Sequence, residues 1–189
     1  MTPEQNSGNV NTKSPVCYRQ KSMIILGIDP GLASTGFGAI TCLPEQTGDK
    51  LTPSLFKCGY IKTSPQEHIS SRLFQIHSDI SHLIKTLKPD LVAIENIFSL
   101  VRYPKAGILL GGVLGIIYLS VSQNNVSMVE ITPREIKNAL IGYGSANKRQ
   151  IKEMIQKLLK INNVSSFHAA DALAVALTAF YRKKTWRDG

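Results

Sequence analysis

Acidic residues are scarce in this 189-residue chain: 13 Asp and Glu stand against 22 Lys and Arg, a formal net charge of +9. That deficit points to a polyanionic partner, most simply nucleic acid, and says nothing about fold. Cysteine is scarce as well. Cys17, Cys42 and Cys58 form no CxxC and leave an odd thiol, which excludes a disulfide scaffold and fits a reduced, cytoplasmic compartment. The apolar stretch that raises the question of a membrane, 106–121 (AGILLGGVLGIIYLSV), falls short of the roughly 18–20 residues a span requires. No internal repeat or low-complexity tract occurs. What is present is a globular composition, 43% hydrophobic and 19% charged, which excludes disorder as the main state. Its length is that of one domain.

Residues 1–22 contain no apolar stretch, so they do not read as a secretory signal peptide. They are polar and hold Pro3 and Pro15, the pattern of a flexible tail. Met23 opens the first apolar run and reads equally well as a start, which leaves 23–189 as the folded domain.

The run 23–29 (MIILGID) ends in a carboxylate and the Pro30-Gly31 turn, the mark of a buried strand. Residues 35–42 and 55–63 read as further strands that complete an antiparallel meander. The period then changes. Ile69, Leu73, Ile76, Ile80, Leu83 and Leu87 place one apolar stripe on a helix over 67–87. A buried strand at 91–94 ends at Glu95, and a glycine-spaced helix follows over 103–122. Gly107, Gly111 and Gly115 give that helix a small-residue face, expected to pack tightly on a sheet or a second subunit. A third core strand spans 126–131. Thr132, Pro133 and Glu135 predict a capping box, and GYGSAN (142–147) a loop. A basic helix comes next, then a last helix over 166–183. Strands alternating with helices imply an α/β layer fold with a mixed β-sheet flanked by helices.

Ligands of such sheets gather at the carboxyl ends of strands, where Asp29 and Glu95 fall. Asp171 lies in the apolar helix start SFHAADALAVAL, and His168, three residues earlier, shares its face. Each carboxylate has a structural explanation when taken singly: a cap for the Pro-Gly turn, a basic partner, a helix N-terminus. Their joint placement favours an oxygen-rich site for Mg²⁺ or Mn²⁺. Glu130 also ends a core strand and is the rival ligand, but the following ITPRE makes pairing with a nearby Arg or Lys the simpler assignment. His68, His77 and His82 read as solvated residues of a surface helix, and Trp186 has no assigned role.

Four ordered segments, ILGIDPGLASTGFGAI, VAIENIF, IGYGSANKRQI and HAADALAVAL, resemble the signatures of RuvC-type Holliday junction resolvases, the crossover junction endodeoxyribonucleases. The likeness runs from Met23 to about Tyr181. It implies an RNase H-like fold, a homodimer, a site for two divalent ions and a cytoplasmic enzyme of recombination and repair. By motif position it places catalysis on Asp29, Glu95, His168 and Asp171, has Phe98 stack or wedge at the junction, and has Lys137 and Lys148 contact DNA. Cooperation with a RuvA–RuvB branch-migration complex is a further implication. Many members have Asp where His168 stands, so the metal site this side chain serves is a point of departure.

The chemistry is consistent with that likeness on its own terms. Two divalent ions about 3.5–4 Å apart can activate water and stabilise a leaving 3′ oxygen in an in-line phosphodiester displacement. Residues 134–160 hold Arg134, Lys137, Lys148, Arg149, Lys152, Lys157 and Lys160 against Glu135 and Glu153, a basic track suited to duplex phosphates. An actin- or sugar-kinase-like ATPase also has a first strand ending in Asp and a Gly turn, but it repeats the domain, for which 189 residues are too few. A non-catalytic junction-binding protein has no use for the three carboxylates together. An RNase H-like ribonuclease differs only in substrate.

Overall fold

In the computed structural model, residues 22–44, 51–96, 104–164 and 166–185 are described. Strand β1 (Met23–Asp29) is buried along almost its whole length, with Ile25, Leu26 and Ile28 fully inaccessible. It pairs antiparallel with β2 (Ser34–Pro44), which pairs antiparallel with β3 (Leu51–Lys62). β2 runs beyond the expected 35–42 at both ends, and β3 starts four residues before the expected 55–63 and ends at Lys62. The addition on β3 includes Pro53, which an edge strand accommodates because one side of its backbone needs no ladder partner.

Helix α1 (Ile69–Leu87) follows, then β4 (Leu91–Glu95), α2 (Pro104–Gln123) and β5 (Met128–Ile131). Strands β4 and β5 join in parallel, giving a five-stranded mixed sheet of order β3-β2-β1-β4-β5. The remaining helices are α3 (Pro133–Ile141), α4 (Lys148–Leu159) and α5 (Phe167–Thr185). The Thr132–Glu135 capping box forms as expected, and Asn147 with Gln150 makes a second one that starts α4.

Side-chain alternation divides the strands between two cores. Leu26, Ile28, Val92 and Ile94 face α1 and α2, whereas Ile25, Ile40, Ala93 and Ile131 face α5 with α3 and α4 behind it. Helix α5 is the central element of its layer, its Ala169–Phe180 stretch buried apart from the half-buried Asp171. It approaches the sheet closely because β1 and β2 carry glycines beneath it. A Cβ on Gly27 would stand 2.1 Å from the carbonyl oxygen of Ala172, and one on Gly36 would stand 2.2 Å from that of His168.

Helix α2 departs from expectation. Val113, Leu114, Ile117 and Val121 are buried against α1 and the sheet, but a Cβ added at Gly107, Gly111 or Gly115 would meet nothing within 4 Å. The glycine face is therefore open in the single chain, not packed on the sheet. Ile108 and Leu119 are exposed on the same helix. Among the described residues α2 is also the one helix long and apolar enough to cross a membrane by length and composition, over Lys105–Gln123. Of the three histidines expected to be solvated, His68 and His82 are exposed and His77 is half-buried. His68 caps the helix by accepting from the Ser70 amide, and His77 is hydrogen-bonded through Nδ1 to the buried Ser120 of α2 at 2.8 Å.

Candidate active site

Parallel pairing of β1 with β4 sets Ile28 opposite Ile94, so Asp29 and Glu95, one residue further on, emerge side by side at the carboxyl edge. Both point away from the α1–α2 core, toward α5. The turn after Asp29 is fixed by two hydroxyls: Thr35 donates to the Gly31 carbonyl at 2.7 Å and Thr63 to that of Leu32 at 2.6 Å. The backbone beyond Glu95 is held by the Asn96 amide, which donates to the Ile131 carbonyl at 2.8 Å.

From above, the first turns of α5 bring His168 and Asp171. His168 Nδ1 lies 3.4 Å from Asp29 Oδ2, and Lys148 Nζ lies 3.2 Å from Asp171 Oδ2. These residues, with Lys137 and Ser34, line one cleft of about 520 Å³. The buried Ser34 hydroxyl has no hydrogen-bond partner among the described residues.

The electrostatics are those of crowded carboxylates. Burial first, and the Asp171 charge second, raise the Asp29 carboxyl to about 6, against the opposing effects of Glu95 and Lys148. Burial first, then Asp29, raise Glu95 further, to about 8. Lys148 is raised in turn by Asp171. Lys148 and Arg149 occupy the first turn of α4, which holds no acidic residue, and there both oppose the helix dipole. Helix stability does not account for a cation at position 148; the anionic cleft that Lys148 reaches through Asp171 does.

Three carboxylates and an imidazole are the donor types that a hard divalent cation, or one tolerant of nitrogen, accepts. Among the described residues no three His, Cys, Asp or Glu side chains close around a single point. The donors instead meet in pairs, Asp29 with Glu95 and Asp29 with His168. The residues fit such an ion in kind, and Lys148 only partly offsets the burial and mutual repulsion that raise the Asp29 and Glu95 carboxyls.

The cleft thus gathers Asp29, Glu95, His168, Asp171, Lys137 and Lys148. It does not gather Arg149, which points outward and pairs with Glu153 at 3.5 Å. Phe98 and Trp186 lie outside the described residues. Glu130 is excluded by strand parity: it pairs with Ile94 and so faces the α1–α2 side. There its carboxylate accepts from the Asn96 side chain and from the Tyr118 hydroxyl at 2.6 Å, while Arg182 reaches its backbone carbonyl. Burial and Glu130 push the Tyr118 hydroxyl up to about 12.

Tyr60 escapes sequence reasoning. Its strand register, Asp29 to Gly36 to Tyr60, runs straight across three strands, and its ring lies 6.4 Å from that of His168. Alternation along β3 gives its face, but only the observed register gives its neighbour.

The family model described as crossover junction endodeoxyribonuclease RuvC matches residues 25–179. A curated relative of that name from Natranaerobius thermophilus is 36% identical over 166 residues, spanning 86% of this chain and 99% of the relative. The Thermus thermophilus RuvC structure superposes with a TM-score of 0.77 at 31% identity, covering 86% of this chain and 97% of that one. The same protein in complex with a Holliday junction substrate gives a TM-score of 0.74 at 29% identity, covering 86% and 96%. The fold is RNase H-like.

Proposed function

This chain belongs to the crossover junction endodeoxyribonuclease RuvC family, and from that membership we infer that it is a structure-specific nuclease resolving four-way DNA junctions in recombination and repair. We assign the chemistry to Asp29, Glu95, His168 and Asp171. The observation that carries this assignment is the pairing of Ile28 with Ile94, which sets two carboxylates side by side beneath a third on α5.

In this reading Asp29, Glu95 and Asp171 supply oxygen donors, and His168 a nitrogen donor, for divalent cations. Two such ions, Mg²⁺ or Mn²⁺, when bound supply an activated water and charge stabilisation of the leaving 3′ oxygen. Lys148 and Lys137 line the same cleft and hold the scissile phosphate against it by charge. Lys148, now on Asp171, is free to turn toward phosphate once cations neutralise that carboxylate. Arg149 serves the flanking phosphates from the outer face of α4.

A junction has two symmetric strands to cut, which a C2 dimer meets with two sites. The open glycine face of α2, with Ile108 exposed beside it, is the surface we assign to that dimer. A cytoplasmic location, a nuclease domain at 23–189 and cooperation with a RuvA–RuvB complex belong to the same proposal; the tail expected over 1–22 lies, but for its last residue, outside the described residues.

The test is incubation of the protein with a four-way junction, a linear duplex, a single strand and an RNA–DNA hybrid, each with and without Mg²⁺. Symmetric nicks in the junction alone, and only with the cation, are expected. Preferential cleavage of the hybrid makes the protein a ribonuclease. Junction binding without cleavage under any divalent cation makes it a binding protein.

A further inference from the structure

Phe167 is the first residue of α5 and stands immediately before His168, yet it is 60% exposed. The packing of this helix end falls to its neighbours: Ala169 and Ala170 are buried, and the Ser166 hydroxyl accepts from the Ala169 amide at 3.0 Å. An aromatic ring at this place is therefore not explained by the core.

The ring has a cationic companion. Lys152 lies one turn along α4 from Lys148, on the same face. Lys148 reaches Asp171 inside the cleft, and Lys152 Nζ stands 5.2 Å from the centre of the Phe167 ring. Ile151 and His168 belong to the cleft lining, and Lys152 and Phe167 are their immediate neighbours in sequence. The ring and the cation thus stand on the rim of the cleft, and the ring keeps most of its exposure although Lys152 lies over it.

We propose that Phe167 and Lys152 form a nucleotide-stacking site on this rim, which takes one unpaired base of the bound DNA against the ring and its phosphate on Lys152. Charge complementarity and continuity with the cleft favour this occupant. Lys152 continues the line of Lys148 on α4, in a chain of net charge +9. Every base offers a π-face to an exposed aromatic side chain, so such a shelf is tolerant of sequence. The site lies on α5 and α4 and rests on the nuclease reading above. In the competing structural account, the Lys152 stem merely shields an exposed ring from water.

The experiment uses the full chain and a four-way junction carrying 2-aminopurine at the nucleotides flanking the cut position, without divalent cation so that the strands stay intact. Wild-type protein should bind and quench the fluorescent base at one of these positions. Phe167→Ala and Phe167→Leu should lose the quenching and bind about tenfold more weakly. Phe167→Tyr should retain both properties, because it keeps the π-face. Lys152→Gln should bind more weakly and lower the salt dependence by about one phosphate contact. Melting temperatures should match wild type throughout, the ring being exposed. Quenching and affinity of wild-type size in Phe167→Ala, or full rescue by Leu, would overturn the stacking site while leaving the nuclease reading intact. Wild-type protein that shows no preference for junction over duplex would overturn that reading, and the site with it.

Discussion

Gly36 lies directly beneath the backbone carbonyl of His168, so close that a Cβ there would stand 2.2 Å from the oxygen. The first turn of α5 is seated on this glycine, midway along the row from Asp29 on β1 to Tyr60 on β3. Gly36→Ala has to lift the helix end or bend the strand, an overpacking that costs about 1–3 kcal/mol. Either response moves His168 and Asp171 relative to Asp29. Cleavage should fall by more than tenfold in a variant that still melts cooperatively at a lower temperature. Retained cleavage with an unchanged melting temperature would show that α5 does not depend on this seat.

The crowded carboxylates make the metal-free protein sensitive to pH in a definite direction. Asp29 rises from 3.8 to about 6 and Glu95 from 4.5 to about 8 on folding, so the folded state holds these protons more tightly than the unfolded chain. Their contribution to stability is fully present below about pH 4 and is lost as pH climbs to about 8. Melting temperatures measured in chelator should therefore decline between pH 5 and pH 8. Glu95→Gln should flatten that decline, and divalent cation should restore stability at the alkaline end. Cation binding must expel the remaining proton, so affinity for Mn²⁺ should rise with pH over the same range. A wild-type slope identical to that of Glu95→Gln would contradict this account.

The open face of α2 gives a third expectation. A side chain at Gly111 meets nothing within 4 Å in the single chain, so Gly111→Glu leaves the fold of one protomer untouched. On the dimer surface proposed for α2, the same change buries two like charges near the symmetry axis. Sedimentation should show a dimer for wild type and a monomer for the variant, with paired incision lost. A variant that stays dimeric would move the interface elsewhere.

Much of this architecture is legible in the sequence because it rests on local rules. The buried run from Met23 to Asp29, the apolar stripe of α1 and the Thr132 capping box all form where spacing places them. The carboxylates of the cleft are legible for the same reason, since each interrupts an apolar element. What escapes depends on non-local pairing. The rival Glu130 is settled only by its register with Ile94, which turns it to the face opposite Glu95. Tyr60 meets His168 through three paired strands, and Phe167 gains Lys152 only when α4 docks on α5. Helix α2 misleads in the other direction. Its glycines look like packing residues, yet within one chain a Cβ at Gly107, Gly111 or Gly115 would touch nothing.

Glu95→Gln is the most direct test of the account. The change preserves shape and removes the charge that, with Asp29, holds the proposed cations, whereas junction affinity in that proposal rests on Lys and Arg contacts to phosphate. Loss of a metal-activated nucleophile costs several kcal/mol of transition-state stabilisation, and each step of about 1.4 kcal/mol is tenfold in rate. Single-turnover cleavage of a four-way junction in Mg²⁺, measured beside binding of the same junction, should show near-normal affinity and a rate at least a hundredfold lower. Glu130→Gln, on the other face of the sheet, should still cut. Cleavage by Glu95→Gln within a few-fold of wild type would contradict the assignment of the cleft.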